Sequence, residues 1–388
     1  MNDTKTKRTV YLTQCRDYGA SLDTAISAGL SAFGGISSLI RKGQKVLIKP
    51  NMLTDRSPEE AVTTHPEVVR CLIRKVREAG ATPIIADSPS NAVKLERVWE
   101  KTGFRRLCDE ENIALLNLEL AGSTQVDMNG MSFNISKTVL EADFIINVPK
   151  VKTHVLTSMT AAVKNMYGTV PGFMKTNLHK SYPTSKEFGK LIATIYEKTK
   201  PGLNVADGIY AMEGNGPSGG TRVDLGIIAV STDAIAMDIV LCRAMGIEPA
   251  SVTYLKHLCQ PSLSTVEQQI EVIPNSWQTL GIRPVRQPST NVLNLIPGWF
   301  ARLVRPLIWI RPAIDNKCVK CYQCIKACPA KALIRQNDNK PLLVPDNCIG
   351  CCCCHEVCPA KAIEMVHSPL VRMLTGKRKP YDSAKVPR

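Results

Sequence analysis

Two cysteine-rich motifs near the carboxyl end of this sequence constrain its fold more than any other feature. Both have the spacing C-x2-C-x2-C-x3-C-P, with Cys318, Cys321, Cys324 and Cys328 in the first copy and Cys348, Cys351, Cys354 and Cys358 in the second. Each copy continues into Pro-Ala-Lys-Ala and an apolar residue, so the segment is an internal duplication. This is the bacterial ferredoxin spacing, in which three cysteines bind one [4Fe–4S] cluster and the fourth binds the other.

The spacing predicts two [4Fe–4S] clusters that exchange ligands between the motifs. We expect one cluster to be held by Cys318, Cys321, Cys324 and Cys358, and the other by Cys348, Cys351, Cys354 and Cys328. A disulfide framework would require a secreted chain, and a zinc site usually has two separated cysteine pairs. Cys352 and Cys353 fall outside the ligand spacing. We interpret them as spare thiols on the cluster loop, and the alternative is a modified second cluster.

The rest of the chain is long enough to form a further domain with its own core. The sequence has 388 residues, of which 44% are hydrophobic, and this is too long for a ferredoxin alone. The cysteines outside the motifs show no pairing pattern and are expected to be buried apolar thiols: Cys15, Cys71, Cys108, Cys242 and Cys259. The amino terminus is polar, and no apolar run reaches the roughly 18 residues of a spanning helix. We therefore expect a cytoplasmic protein.

The basic charge of the chain is concentrated in two peripheral segments. The formal net charge is +15. Residues 281–312 contain five arginines and no acid, and residues 369–388 contain six basic residues and one aspartate. Eight thiolates shared with two oxidised clusters would add about −4 to the total. A nucleic-acid partner would therefore rest on formal charge alone, and we do not expect one.

Short apolar runs alternate with helical patterns up to about residue 260. Strands are predicted at 8–14, 45–49, 83–87, 113–117, 143–147, 203–207 and 225–230, and helices at 21–40, 66–79, 98–109, 187–198 and 234–245. This alternation predicts an α/β domain over 1–260 with a mostly parallel sheet and flanking helices. A small α+β ferredoxin-type domain with two [4Fe–4S] clusters is expected at 316–368, followed by a basic tail at 369–388.

The segment between these domains, 261–315, is rich in proline and is predicted to be a basic linker with little regular structure. Its apolar, aromatic and basic part at 295–311 has two interpretations. It is either an interfacial anchor that makes peripheral contact with anionic lipid, or a strap that packs the ferredoxin module onto the large domain. Pro297, Gly298 and Pro306 interrupt a long amphipathic helix, which favours the strap.

Polar residues follow several of the predicted strands. In open α/β sheets, ligands bind beyond the carboxyl ends of the strands, so these residues are expected to meet at one rim. The substrate-binding candidates are Lys49, Asn51, Asp87, Asn147, Lys150, Asn165, Lys175, His179, Asp207, Gly214 and Gly216. Several lysines and a glycine-rich loop at one rim would suit a carboxylate or a phosphate. Within this set we regard His154 as a candidate general acid–base group, because an ordinary histidine pKa lies near neutrality. Lys152 and Lys164 are the candidates for binding substrate charge.

The order of these motifs resembles a prokaryotic family known as domain of unknown function 362. The matching motifs are Lys49-Pro-Asn51, Thr64-His-Pro66, Asp87-Ser88, Asn147-Val-Pro-Lys-Val-Lys-Thr-His154, Lys164-Asn-Met-Tyr-Gly168, Asp207-Gly208 and Gly214-x-Gly-Pro217. Many members are similar in carrying a two-cluster ferredoxin module at the carboxyl end. The resemblance implies an iron–sulfur protein and supplies no substrate. This chain departs from the pattern in the unbroken run of cysteines from Cys351 to Cys354.

The combination of a two-cluster module and a polar rim favours a ferredoxin-coupled oxidoreductase acting on a small anionic substrate. Its expected redox partner is a ferredoxin or a flavoprotein. One alternative is a non-catalytic electron-transfer or docking subunit for a partner enzyme. Another is a metal-dependent enzyme that uses Asp87 and Asp207, with the clusters as a redox sensor.

Overall fold

The computed structural model describes residues 7–90, 92–274, 276–288, 309–337 and 339–375. The α/β domain contains the strands β1 (Arg8–Gln14), β2 (Lys45–Lys49), β3 (Thr82–Asp87), β4 (Leu115–Asn117), β5 (Ser123–Met128), β6 (Met131–Ser136), β7 (Phe144–Asn147), β8 (Lys150–His154), β9 (Ser158–Thr160), β10 (Leu203–Glu213), β11 (Thr221–Ser231) and β12 (Ile270–Pro274). Its helices are α1 (Ala20–Ser31), α2 (Ile36–Leu39), α3 (Pro66–Glu78), α4 (Leu95–Lys101), α5 (Phe104–Glu110), α6 (Lys137–Leu140), α7 (Ala162–Asn165), α8 (Gly172–Ser181), α9 (Ser185–Lys198), α10 (Ala234–Ala244), α11 (Thr253–Leu258) and α12 (Leu263–Glu267).

The carboxyl-terminal module is built from four short strands and three helices within the described ranges. They are β13 (Ile310–Ile314), α13 (Gln323–Lys326), β14 (Leu333–Ile334), β15 (Leu342–Leu343), α14 (Cys353–Glu356), β16 (Ile363–His367) and α15 (Pro369–Thr375). Strand β13 pairs antiparallel with β16, and β14 pairs antiparallel with β15. The first cysteine motif lies between β13 and β14 in the chain, and the second lies between β15 and β16.

A mostly parallel sheet organises the large domain. Its strand order is β12-β1-β11-β10-β7-β2-β3-β4, with β8 beside β10 and β9 beside β8. Along the main path β11 runs antiparallel to both of its neighbours, and the other described pairs are parallel. The predicted fold class, an α/β sheet domain followed by a small ferredoxin-type domain, is confirmed.

Alternating side chains of the strands fill two hydrophobic cores on the two faces of the sheet. In β2, Val46 and Ile48 face the core built with α1, α3 and α5, whereas Leu47 faces the core built with α9, α10 and α11. Both faces are covered, which explains why these strands are almost continuously apolar. The register pairs Lys49 with Asn147, so the carboxyl ends of β2 and β7 lie side by side.

Two predicted helices are interrupted in the structure. The helix predicted over 21–40 is interrupted at Gly34 and Gly35, whose φ angles of 82° and 84° do not fit a helix. The helix predicted over 98–109 forms the separate helices α4 and α5, because Gly103 between them has a φ of 79°. At both interruptions the apolar residues keep their helical spacing on either side of the glycines. Periodicity alone therefore predicts a single helix in each case.

The predicted linker over 261–315 contains regular structure at both ends. Strand β12 pairs in parallel with β1, so the large sheet continues beyond residue 260. Strand β13, which lies within the segment predicted as linker, pairs antiparallel with β16 of the ferredoxin module. Most of the apolar segment 295–311 lies outside the described residues. Among the described residues, none of the helices has the length and apolar content that a membrane-spanning segment requires.

Candidate functional site

A cavity of about 110 Å³ lies between the α/β domain and the ferredoxin module. Eight of the residues predicted at the rim line it: Lys49, Asn51, Asp87, Lys152, Lys164, Asn165, Lys175 and His179. The second cysteine motif forms the facing wall, to which Cys353 and Glu356 contribute. Ligand pockets for drug-sized molecules measure about 300–1,000 Å³, so this cavity suits a ligand of few atoms.

The floor of the cavity is set by the ends of β2 and β3. Lys49 and Asp87 end these strands and form an ion pair of 2.7 Å in which both side chains are buried. The second carboxylate oxygen of Asp87 accepts a hydrogen bond of 2.7 Å from the Met52 N–H. Removing either partner would leave an unpaired buried charge, so this pair fixes the two strand ends together.

Helix α7 is held in place by a buried carboxylate from α10. Asp238 accepts hydrogen bonds from the N–H groups of Ala162 and Val163 at 2.7 and 3.1 Å. These N–H groups start the helix and have no partners within it, so the carboxylate satisfies them. Burial raises the pKa of Asp238 to about 7. The short helix thereby presents Lys164 and Asn165 to the cavity.

Three lysines give the cavity its surplus of cationic groups. Lys152 donates to the Asn51 side-chain oxygen at 2.9 Å, and Lys175 donates to the Ser88 carbonyl. The Lys164 ammonium group makes no hydrogen bond or ion pair with another described residue. Burial lowers the pKa of all three lysines, that of Lys175 to about 8. A bound anion would favour their charged forms, because an opposite charge nearby offsets the cost of burial.

Several buried polar atoms that face the cavity lack a hydrogen-bond partner among the described residues. They are Ser88 Oγ, Thr160 Oγ1 and His179 Nδ1. Leaving a buried polar group unsatisfied costs about 1–3 kcal/mol, so a cluster of such atoms indicates a place for a polar ligand or water. The His179 ring stacks on Phe188 at a centroid distance of 4.4 Å, and burial lowers the His179 pKa to about 4. Its imidazole is therefore neutral near pH 7.

His154 lies behind the cavity wall and is fully buried. Its Nδ1 accepts a hydrogen bond of 3.0 Å from the Leu156 N–H, which places the ring proton on Nε2. This Nε2 lies 3.4 Å from Glu356 Oε1. Burial lowers the His154 pKa to about 3, so the near-neutral pKa expected from the sequence is not found. The geometry gives His154 a tethering contact with the ferredoxin module, and its catalytic role stays a prediction.

The remaining rim candidates are brought near the strand ends without lining the cavity. Lys150 and Asp207 form a fully buried ion pair of 2.8 Å. Asp207 also accepts from the Tyr18 hydroxyl at 2.8 Å and from the His65 N–H at 2.9 Å. Both carboxylate oxygens of Asp207 are thus occupied. Asn147 donates to the Ala162 carbonyl at 2.9 Å and supports α7 from below.

The glycine-rich loop after β10 contains Gly214 and Gly216, two of the candidates for anion binding. In the structure both glycines contact neighbouring backbone. A side chain at Gly216 would place its Cβ 2.1 Å from the Thr153 carbonyl oxygen. Gly214 has a φ of 76° and donates its N–H to the Arg286 carbonyl at 2.7 Å. Pro217 of the same loop does line the cavity. The loop therefore lies at the cavity edge, but Gly214 and Gly216 do not line it.

The cysteines of the two motifs form two separate groups in the fold. Cys318, Cys321, Cys324 and Cys358 line one small cavity, and Cys328, Cys348, Cys351 and Cys354 line another. These are the two sets that the spacing predicts. The N–H groups of Ala332 and Ala362 donate to the Cys328 and Cys358 sulfurs, both at 3.2 Å. Two grouped sets of four thiols with N–H···S bonds fit [4Fe–4S] clusters.

Sequence reasoning missed Cys353 and Glu356 as cavity residues. Cys352 lines the second cysteine-lined cavity, whereas Cys353 lines the cavity between the modules. The two thiols predicted as equivalent spares therefore lie in different surroundings. The unbroken run from Cys351 to Cys354 could have indicated this difference. Consecutive residues in a helical turn point in different directions, so Cys352 and Cys353 could not share the same surroundings. Nothing in the sequence indicated Glu356.

Hydrogen bonds hold the ferredoxin module against the glycine-rich loop. The His355 Nε2 lies 2.8 Å from the Asn215 carbonyl oxygen, and the Ser218 hydroxyl donates to the Glu356 carbonyl. Arg56 also donates to the Cys358 carbonyl at 2.8 Å. These contacts fix the cavity wall that carries Cys353.

Comparison with known proteins identifies both parts of the chain. A family model described as domain of unknown function DUF362 matches residues 46–243, about half of the chain and most of the large domain. The chain belongs to the DUF362 family. A model described as a 4Fe-4S dicluster domain matches residues 312–359. The family and the ferredoxin-type module expected from the motifs are confirmed, and this DUF362 protein is an iron–sulfur protein of the electron-transfer type.

The chain is also similar to a cyanobacterial protein and to one solved structure. A thylakoid-associated protein from Synechocystis sp. is 34% identical over 250 residues, which are 63% of this chain and 77% of that protein. The structure of the lactate racemase apoprotein from Thermoanaerobacterium thermosaccharolyticum is 13% identical, with a TM-score of 0.41. That match covers 64% of this chain and 59% of the racemase chain, less than two thirds of its length.

The scattered cysteines of this DUF362 protein are buried thiols, as predicted. Cys15, Cys71, Cys108, Cys242 and Cys259 are all unpaired and buried. Burial raises the pKa of each of them. They are therefore protonated near pH 7 and contribute to the cores as small apolar groups.

Proposed function

We propose that this protein is an oxidoreductase in which two [4Fe–4S] clusters exchange electrons with a small anion bound between the modules. One observation carries the proposal. Cys353, which lies between the cluster ligands expected at Cys351 and Cys354, lines the same cavity as Lys164 and Lys175. A ligand held by these lysines would lie against the loop that wraps one of the clusters.

The cysteine groups would hold the clusters in the sets expected from the spacing. Cys318, Cys321, Cys324 and Cys358 would hold the first, and Cys348, Cys351, Cys354 and Cys328 the second. A bound [4Fe–4S] cluster takes up or releases one electron at a time, at a potential tuned by hydrogen bonds and exposure. The residues of the chain then have to bind the anion, exclude water and supply protons.

The ligand class follows from the charges and donors of the cavity. Lys152, Lys164 and Lys175 supply ammonium groups, and Asn51 and Ser88 supply further polar atoms. Their number exceeds what Asp87 and Glu356 can neutralise, since Asp87 is already paired with Lys49. We assign the site to a small carboxylate or phosphate, because these anions accept several charge-assisted hydrogen bonds at once.

Lys175 is the best-placed proton donor to such a ligand. Its pKa of about 8 allows the ammonium group to lose and regain a proton near neutral pH. The neutral His179 ring, with its unpartnered Nδ1, can orient the ligand by one hydrogen bond. His154 is kept neutral and faces Glu356, so we assign it a positioning role.

Turnover by the holo-protein tests the proposal. Anaerobically purified protein with a full iron and sulfide content would be reduced with dithionite and offered fumarate as a probe of small unsaturated acids. Lys164→Ala should abolish turnover and keep the clusters. Lys180→Ala, which removes an exposed lysine from α8, is the matched control. Lys180 lies on the helix that carries Lys175 and does not line the cavity.

Sulfate binding, measured by calorimetry, separates the remaining possibilities. A protein that binds sulfate in the cavity but reduces no small acid would function as an electron carrier or docking subunit with an anion site. A protein in which Lys164→Ala changes neither sulfate binding nor turnover would contradict the proposal. A metal-dependent enzyme is less well supported, because Asp87 and Asp207 are each engaged by a buried lysine.

A further inference from the structure

We propose that the surface around Cys321 is the docking site for an acidic ferredoxin-type electron carrier. The proposal rests on the presence of the cluster held by Cys318, Cys321, Cys324 and Cys358. It goes beyond the proposed function, because it concerns how electrons enter and not what happens in the cavity. Two features of the described surface support it: one exposed ligand cysteine, and an apolar centre with basic residues around it.

The first feature is the exposure of one cysteine group. Cys321 is exposed, whereas Cys348 is partly buried and Cys351 and Cys354 of the other group are buried. The group that contains Cys321 is thus the one that approaches solvent. The other group lies on the loop that lines the cavity between the modules. This arrangement gives the module an outer end for electron entry and an inner end next to the ligand.

The second feature is an exposed apolar centre. Val319, next to Cys318 in the motif, is 64% exposed. Ile334 and Leu342 are 42% and 38% exposed, and they face each other across the β14–β15 pair. Val319 and Pro341 both line the small cavity that contains Cys321. The β14–β15 hairpin, to which Pro341 belongs, therefore lies beside the first cysteine motif. Exposed apolar side chains grouped in this way mark an interaction surface.

Basic residues surround this centre. Lys317 and Lys320 are exposed and stand before Cys318 and Cys321 in the chain. The Arg335 guanidinium lies 4.5 Å from the centre of the Tyr322 ring, which also lines the Cys321 cavity. Lys340 donates to the Asn316 side chain at 2.5 Å, which ties the hairpin to the start of the motif. An apolar centre with a basic rim fits a partner that presents an acidic rim.

The partner must be a protein with its own one-electron centre. Cys318, Cys321, Cys324 and Cys358 would hold a cluster that can accept one electron. The reduced carrier would supply that electron and be oxidised, and no atom would be transferred. Charge attraction would steer the acidic carrier to the basic rim, and apolar contact at Val319 would bring the two centres together. An anionic membrane would satisfy the charges but would supply no electron.

Binding of a redox-inert carrier tests the surface without relying on turnover. The probe is an acidic plant-type ferredoxin with gallium in place of iron, titrated into the anaerobic holo-protein by calorimetry at several salt concentrations. The test variant is Lys317→Glu/Lys320→Glu. The matched control is Arg41→Glu/Lys42→Glu, two exposed bases at the amino-terminal end of β2, away from the cavity rim.

We expect the test variant to bind the carrier about tenfold or more weakly at low salt and to lose most of its salt dependence. The control should bind as the wild type does. Equal binding by the test variant, equal loss in the control, or binding to vesicles of anionic lipid in place of the carrier would overturn the proposal. Sulfate affinity at the cavity should be unchanged in the test variant, so failure here is distinguishable from failure of the proposed function.

Discussion

At the scale of single residues, the cavity depends on lysines that burial has made easy to deprotonate. The Lys175 pKa is lowered from 10.5 to about 8, first by desolvation, with Asp87 and Glu119 opposing the shift and Lys49 and Lys164 adding to it. Lys175 is therefore cationic below about pH 8 and neutral above it. An ammonium group in contact with an anion contributes about 1.5–3 kcal/mol, which the neutral amine cannot match.

This charge change predicts how anion binding depends on pH. Sulfate, whose own charge is constant in this range, should bind more weakly as pH rises from 7 to 9, by about tenfold. Lys175→Gln should bind weakly at both pH values and keep only the residual dependence contributed by Lys164 and Lys152. Lys180→Gln should behave as the wild type does. Calorimetry at matched ionic strength measures the effect, and a wild-type affinity that is the same at pH 7 and pH 9 would contradict it.

The sequence identified the residues that the large domain contributes to this site and missed Glu356. Lys49 ends β2, and the rule that ligands bind at the carboxyl ends of strands selects it. Lys164 and Lys175 lie beyond β9, in a segment predicted to close the site because it is rich in hydrogen-bond donors. Glu356 comes from a different domain, so no rule about one sheet could have placed it there. The low pKa of His154 was also beyond reach, because it depends on burial that only the packed structure reveals.

At the scale of elements, the glycine-rich loop and the second cysteine motif fit together closely. A methyl group at Gly219 would lie 2.3 Å from His355 Cε1. The His355 ring has little room to move, since Nδ1 lies 2.6 Å from the Ile363 carbonyl oxygen and Nε2 lies 2.8 Å from that of Asn215. The loop therefore needs a residue without a side chain where it meets the ferredoxin module.

Gly219→Ala should push the glycine-rich loop away from the second cysteine motif and weaken the contact between the large domain and the ferredoxin module. Overpacking of this kind costs roughly 1–3 kcal/mol. We expect faster hydrogen exchange in residues 214–220 and in 353–358, with the iron content unchanged. In Gly219→Ala/His355→Ala the clash is removed, so exchange should return toward that of the single variant His355→Ala. Unaltered exchange in Gly219→Ala would show that the loop shifts freely and that the contact does not hold the module.

Strands could be predicted from the sequence where a local run of apolar residues marks them. Prediction failed where a strand forms only because of its contacts with a distant strand. Strands β2, β3 and β7 are short apolar runs buried on both faces, and their positions follow from composition alone. Strand β12 is different: its residues are only partly buried, and it is a strand because β1 offers it a parallel edge. No local pattern indicates such an edge, and the prolines around it suggested a linker.

At the scale of the whole molecule, the cavity belongs to neither domain alone. Its lysines come from the sheet rim, and Cys353 and Glu356 come from a loop that begins and ends at expected cluster ligands. Cluster binding would fix Cys351 and Cys354 and hence the residues between and beside them. The anion site should then depend on the inner group of cysteines and not on the outer one.

Two matched variants separate these contributions. Cys348→Ala removes a ligand of the inner group, and Cys318→Ala removes one of the outer group. We expect the inner change to weaken sulfate binding by on the order of tenfold, because the loop that carries Cys353 and Glu356 loses its anchor. The outer change should leave sulfate binding nearly intact and slow cluster reduction by an external carrier. Iron and sulfide analysis would establish which cluster each variant retains. Equal sulfate affinity in both variants would mean that hydrogen bonds such as Ser218 to Glu356 hold the wall unaided, and that the cavity and the clusters are neighbours without being coupled.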